Sequence, residues 1–374
     1  MTGDPNERVP ITVLTGYLGA GKTTLLARLL RRPQLALSAV IVNELGEVGI
    51  DHDLLETAEE SLLELPGGCL CCTVRGDLLR ALDRLWRRRA RGKEIERVVI
   101  ETTGLADPAP ILQTLMVDPV AADRYRVDGV VTLVDGINGD LTLDRAPEAV
   151  RQVAMADRLV ISKVDLAEPA AIASLEARLR VLNPLAPIHR VIRGEIEPAA
   201  ILDCGPWSSA DRRPEVERWL GEMTIAERST AHRHGGDPDH HTLDHEHREG
   251  SGQPAEPRSH EAGIRTFCVR RTEPLSADAA GLLLSLLTAH RGPDLLRVKG
   301  LLAIREEPDR PLVLHAVQHV VHEPIVLDRW PSADRSSRLV FVTRDLPQRV
   351  VEELWDAVSA FEAASPSEPA PPGG

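Results

Sequence analysis

From residue 11 to about 202 the chain alternates short, continuous apolar runs with longer amphipathic stretches. The runs at 11–15, 39–43, 97–101, 129–134, 158–162 and 188–192 are rich in Val, Ile and Leu, and several of them are continuously apolar. That is the pattern of strands covered on both faces, as in a parallel sheet. Between them, 77–86 and 170–182 carry apolar residues at helical spacing, and the second stops at Asn183-Pro184, where proline disfavours a helical predecessor. The alternation predicts an α/β, doubly wound, mostly parallel sheet.

The pattern breaks at about 229. Residues 229–262 hold little apolar content, several Gly and Pro, and seven histidines: His232, His234, His240, His241, His245, His247 and His260. This composition reads as a linker or long loop. A strand at 264–271, a helix at 276–290, two or three strands across 295–305, 312–321 and 338–343, and a helix at 347–363 then predict a smaller α+β domain. The expected organisation is 1–228, the α/β domain; 229–262, the His-rich linker; 263–363, the α+β domain; and 364–374, a Pro/Gly-rich tail.

Composition narrows the function classes. With 374 residues, 43% hydrophobic and 27% charged, the chain suits two globular domains, whose cores must be aliphatic because only 3% of residues are aromatic. A formal charge of −13 argues against nucleic acid as partner, and the basic run at 84–93 reads as a solvated helix end. No run of about 18 apolar residues predicts a membrane span, and the N-terminus lacks the apolar core of a signal peptide. Of the five cysteines, three fall within four positions, which in a reducing cytoplasm suggests metal or redox chemistry rather than disulfides.

The strongest motif is Gly16-Tyr-Leu-Gly19-Ala20-Gly21-Lys22-Thr23-Thr24, a phosphate-binding loop between a predicted strand and a predicted helix. The glycines let backbone N–H groups turn toward phosphates, and the helix start adds partial positive charge. Lys22 is expected to reach the β- and γ-phosphates, and Thr23 to ligate Mg²⁺. Ser162-Lys163-Val164-Asp165 follows a strand where guanine-specific proteins carry Asn-Lys-x-Asp; Asp165 and Lys163 are present and Ser162 replaces the asparagine. An Asp at that place can accept two hydrogen bonds from guanine that adenine does not offer, which favours GTP. Glu101 ends another apolar strand, and Glu101-Thr-Thr-Gly104 suits a carboxylate beside Mg²⁺ or water and a glycine N–H beside the γ-phosphate.

Cys69-Leu70-Cys71-Cys72 lies between these elements, preceded by Gly67-Gly68. Taken alone, the spacing fits metal ligands, a redox pair or buried small apolar residues. The histidine-rich segment tips the reading to a transition metal, Zn²⁺ or Co²⁺, with Glu44 a candidate fourth ligand and the histidines a metal-collecting arm rather than an inert linker. Cys204 and Cys268 have no comparable neighbours and read as structural.

Taken together, the segments 16–26, 42–51, 68–78 and 100–108, the His-rich insert and Arg297-Val-Lys-Gly300 resemble the CobW family of P-loop GTPases along nearly the whole chain. The resemblance implies a GTP-dependent metallochaperone that passes its ion to a client metalloprotein, with Cys69, Cys71 and Cys72 as the thiol ligands. It also leaves cobalt handling for cobalamin synthesis or metallocentre assembly as a family role. A metal-storing or metal-sensing protein, or a regulatory GTPase with redox-sensitive cysteines, are the competing classes.

Overall fold

The computed structural model describes residues 8–42, 62–64, 72–204, 263–321 and 324–364. Seven parallel strands form the first sheet: β1 (Val9–Gly16), β2 (Ser38–Val42), β3 (Leu62–Glu64), β4 (Arg97–Glu101), β5 (Tyr125–Asp135), β6 (Arg158–Ser162) and β7 (Ile188–Arg190). Their order is β3-β2-β4-β1-β5-β6-β7. The chain leaves β1 toward β2 on one side and crosses from β4 to β5 on the other. A crevice therefore opens beyond the carboxyl end of β1, where such sheets bind ligands.

The six predicted strand runs are all present. Burial of β-branched residues explains most of them: every residue of β2 and β6 is buried, and β1 is buried at all but one position, whereas β7 at the sheet edge is half-buried to exposed. The helices are α1 (Lys22–Leu30), α2 (Cys72–Ala90), α3 (Ala109–Val117), α4 (Pro119–Arg124), α5 (Gly139–Arg145), α6 (Pro147–Ala154) and α7 (Pro169–Leu182). α2 starts five residues before its predicted bound, so Cys72 opens a helix instead of sitting in a loop. The basic end of α2 is exposed as expected, with Arg89 and Arg124 each 5.3 Å from the Trp86 ring. Asp118 caps α4 by accepting from the Val120 and Ala121 amides at 3.1 and 3.0 Å.

The second sheet is antiparallel: β8 (Ile264–Arg271), β9 (Leu295–Leu302), β10 (Leu312–Val317), β11 (Val320–Val321), β12 (Ile325–Val326) and β13 (Ser337–Arg344). Its path is β11-β10-β9-β13-β8, with β12 on β10, and α8 (Ala277–Arg291) and α9 (Gln348–Ala364) pack on it. The predicted strand 312–321 is broken into β10 and β11, because Gln318 turns the chain with φ 50°.

The two sheets share one core. Leu296, Val317 and Val342 of the second share a buried cluster with Ile111 and Leu115 of α3 and with Ala154 and Met155 at the end of α6, which cover the first. Beside this apolar seam lies a buried charge cluster. Arg297 donates to the Met155 carbonyl and to Asp157, Lys299 Nζ donates to Asp157 Oδ1 at 2.6 Å, and His315 Nε2 is 2.9 Å from Arg297. Among the described residues no helix is long and apolar enough to cross a membrane.

Candidate functional site

Four segments meet at the carboxyl edge of the parallel sheet: the glycine loop after β1, the ends of β4 and β5, and the turn after β6. Gly16 leaves β1 with φ 140°, and a Cβ there would stand 2.4 Å from the Leu133 carbonyl oxygen, so no side chain fits. Gly19 and Gly21 have φ of 75° and 89°, and Gly21 is the N-cap of α1. Ala20 is buried and donates its amide to the Tyr17 carbonyl at 3.1 Å, closing the turn. Thr24 is exposed on α1.

Lys22, the first residue of α1, carries its ammonium back across the loop, 2.8 Å from the Gly16 carbonyl and 3.3 Å from that of Tyr17. Thr23 donates its hydroxyl to Glu101 Oε1 at 2.8 Å. The pairing joins two predicted site residues that are 78 positions apart in sequence. A hydroxyl and a buried carboxylate in contact are hard oxygen donors of the kind Mg²⁺ prefers, so the residues present fit that ion.

Thr102 ties β4 to β1, its amide donating to the Leu14 carbonyl at 3.0 Å and its hydroxyl to Thr15 at 2.8 Å. Gly104 then runs against the glycine loop: a Cβ on it would meet the Leu18 amide nitrogen at 2.5 Å. Asp107 accepts from the Ala109 amide at 2.9 Å and starts α3.

The turn after β6 departs from the pattern in an informative way. Ser162, in the place of the expected asparagine, is buried and donates to the Ala20 carbonyl at 2.8 Å. Its short hydroxyl fastens the glycine loop to β6. Lys163 takes a left-handed φ of 56° and donates to Asp135 Oδ2 at 2.7 Å, while Asp165 is exposed in the following turn. Burial pushes the Asp135 carboxyl upward, but Lys163 and the Ile137 and Asn138 amides outweigh it and hold the group below its usual range.

Sequence reasoning did not single out Asp135 or Gln152. Asp135 had a signal, since Val134-Asp135-Gly136 ends a strand as Ile100-Glu101 does. Gln152 had none: it lies on α6, wholly buried, and reaches the Gly104 and Ala106 carbonyls at 3.1 and 2.9 Å.

Glu44, Cys69, Cys71 and the seven histidines lie outside the described residues, and Cys72 is the first residue of α2. The described strands fix where those segments leave the sheet. Leu14 and Val42 both pair with Glu101, and Val42 also pairs with Glu64. β2 and β3, the strands that precede Glu44 and the thiols in the chain, thus end at Val42 and Glu64 in the row that contains Glu101. Two strand spacings, about 10 Å, separate the backbones of Glu64 and Glu101. Cys204 is buried, donates to the Ile201 carbonyl at 2.9 Å, and has its thiol pushed well up by burial, in keeping with a structural role.

A glycine loop bearing Lys22 and Thr23, a carboxylate opposite it, and a lysine–aspartate turn on a parallel sheet define a P-loop nucleotide-binding protein. The CobW/HypB/UreG nucleotide-binding domain matches residues 10–190, and the cobalamin synthesis protein cobW C-terminal domain matches 264–359. The zinc chaperone YjiA of Escherichia coli (strain K12) is 30% identical over 354 residues, spanning 93% of this chain and 98% of that protein. The zinc chaperone CobW of Pseudomonas aeruginosa is 31% identical over 378 residues, spanning 92% and 90%. A crystal structure of a Zn(II)-bound triple mutant of YjiA GTPase superposes with a TM-score of 0.64 at 26% identity, covering 94% of this chain and 99% of that one. The chain belongs to the CobW family and is a GTPase.

Proposed function

We infer that this GTPase is a cytoplasmic metallochaperone. GTP occupancy strengthens the hold of Cys69, Cys71 and Cys72, with Glu44, on a zinc ion, and hydrolysis releases the ion to a client metalloprotein. The observation that carries this reading is the shared row of Leu14, Glu101, Val42 and Glu64, from which both the phosphate loop and the thiol segment spring. β3 is joined to β1 through β2 and β4, each hydrogen-bonded to the next, and the coupling would run along that row. The zinc chaperone relatives support zinc as the cargo.

In this reading Lys22 exchanges its two carbonyl contacts for the β- and γ-phosphate oxygens, which pull harder on an ammonium. Thr23 and Glu101 would hold Mg²⁺, which spreads the charge building on the phosphate oxygens. The Gly104 amide senses the γ-phosphate from its place against Leu18, and Asp165 reads guanine at the edge of the crevice. Loss of the γ-phosphate frees the 104–107 segment, and the thiol segment with it.

The test is a Cys71→Ser variant in metal titration and nucleotide binding. The expected outcome is loss of the high-affinity zinc site with guanine nucleotide binding retained. Unchanged zinc affinity would overturn the assignment of the thiols.

A further inference from the structure

Gln152 joins α6 to the backbone of residues 104–106. Gln152 sits on α6, which is itself held fast: its carbonyl accepts from Thr132 of β5 at 2.8 Å, and Asn183 donates to the Val153 and Ala156 carbonyls at 2.8 and 2.9 Å. From this support the carboxamide nitrogen spends its two N–H groups on Gly104 and Ala106, two carbonyls in one short segment. The reverse orientation would set the amide oxygen against both carbonyl oxygens, so the direction of donation is fixed by chemistry.

In a trans peptide the C=O and N–H point opposite ways. Holding the Gly104 oxygen toward α6 therefore turns the Leu105 N–H away from α6. The preceding plane is pinned too, because the Thr103 carbonyl accepts from the Ala106 amide at 3.1 Å. On its other side the segment abuts Leu18 of the glycine loop. We propose that Gln152 is a positioning residue for GTP hydrolysis, holding the peptide planes of 103–106 so that their amides meet the reacting phosphate. This rests on the reading above that Gly104 senses that phosphate.

The energetics favour a kinetic role. The hydrogen bonds of the Gln152 amide go to Gly104 and Ala106 and not to Lys22, Thr23 or Asp165, so ground-state affinity has little to lose. Misplacing a group that acts on the transferring phosphoryl by a fraction of an ångström lowers the rate instead.

Three variants of the full chain test this: Gln152→Ala, Gln152→Glu and Gly104→Ala, each checked for GDP affinity and thermal midpoint. Gln152→Ala is expected to lower kcat roughly ten- to a hundredfold with KM for GTP within about twofold of wild type. In Gln152→Glu a carboxylate would face two carbonyls at alkaline pH, whereas the protonated acid donates one hydrogen bond. Its kcat relative to wild type is therefore expected to rise several-fold from pH 8.5 to pH 6, since burial raises a carboxyl pKa. That signature remains readable if Gln152→Ala does not fold. A wild-type kcat in Gln152→Ala, or a pH-independent ratio for Gln152→Glu, overturns the proposal. If Gly104→Ala also keeps wild-type kcat, the reading of the 104–107 segment fails with it; if Gly104→Ala is slow while Gln152→Ala is not, only the role of Gln152 fails.

Discussion

Lys299 of the C-terminal sheet donates to Asp157, at the head of β6 in the nucleotide-binding sheet, over 2.6 Å, and both side chains are buried. Arg297 binds the same carboxylate, so one anion answers two cations where the domains meet. Removing the shared anion should cost far more than removing one cation. Asp157→Asn leaves two buried cations facing each other, and is expected to destabilise by about 3–5 kcal/mol. Lys299→Met leaves the Arg297–Asp157 pair intact and should cost under about 2 kcal/mol. Urea denaturation of the two variants checks the order, and equal losses would contradict it.

The same cluster sets a pH dependence. Burial raises the Asp157 carboxyl, but Arg297, Lys299 and His315 outweigh it and hold it well below the ordinary 3.8. A depressed carboxyl contributes stability that is complete above its unfolded value and fades as pH falls toward the native one. Lys299 has the opposite history: burial, then Arg297, push it down to about 8 from 10.5 despite Asp157. Between those two values the unfolded chain holds more protons than the native one, so this group's contribution rises with pH. Wild type is expected to gain on Lys299→Met in unfolding free energy from about pH 8 to about pH 10. A difference that stays flat across that window would exclude the shift.

Glu101→Gln keeps the shape of the Thr23 contact and removes its charge. Nucleotide binding should persist while kcat falls on the order of a hundredfold, with a higher Mg²⁺ requirement. Turnover assays across Mg²⁺ concentrations check this; a wild-type rate would remove Glu101 from the catalytic machinery.

Asp165→Asn should erode the preference for GTP over ATP by roughly 10- to 100-fold, the scale of hydrogen bonds to a charged acceptor. Ser162→Asn should leave that preference nearly unchanged, because the residue at 162 faces the Ala20 carbonyl and an asparagine amide can donate there as well. Competition binding with both nucleotides separates the two positions.

Much of the nucleotide-binding sheet was legible because its strands are buried on both faces, so β1, β2 and β6 announce themselves as unbroken apolar runs. The region 109–154 was harder to divide. It holds four short helices, and three of them carry proline in the first turn, which punctuates the pattern before a helical period can establish itself. The short strand β3 left no signal in three residues. Within the site, Lys22, Thr23 and Glu101 were readable from local motifs, and their convergence follows from β1 and β4 being neighbours. Gln152 was not readable, since its partners lie 46 and 48 residues away and a glutamine in an amphipathic helix looks like solvent-facing surface. Ser162 looked like a defect in a base-reading motif, and its bond to Ala20 became visible only once β6 and the loop were side by side.

The proposed metallochaperone activity requires triphosphate and metal affinities to be linked through the carboxyl edge of the parallel sheet. It is tested most directly by metal-competition titration of the whole protein loaded with GDP and, separately, with a non-hydrolysable GTP analogue. Zinc should bind about 5- to 150-fold more tightly with the analogue, and zinc should tighten the analogue by the same factor. Equal zinc affinity in the two nucleotide states would contradict the account.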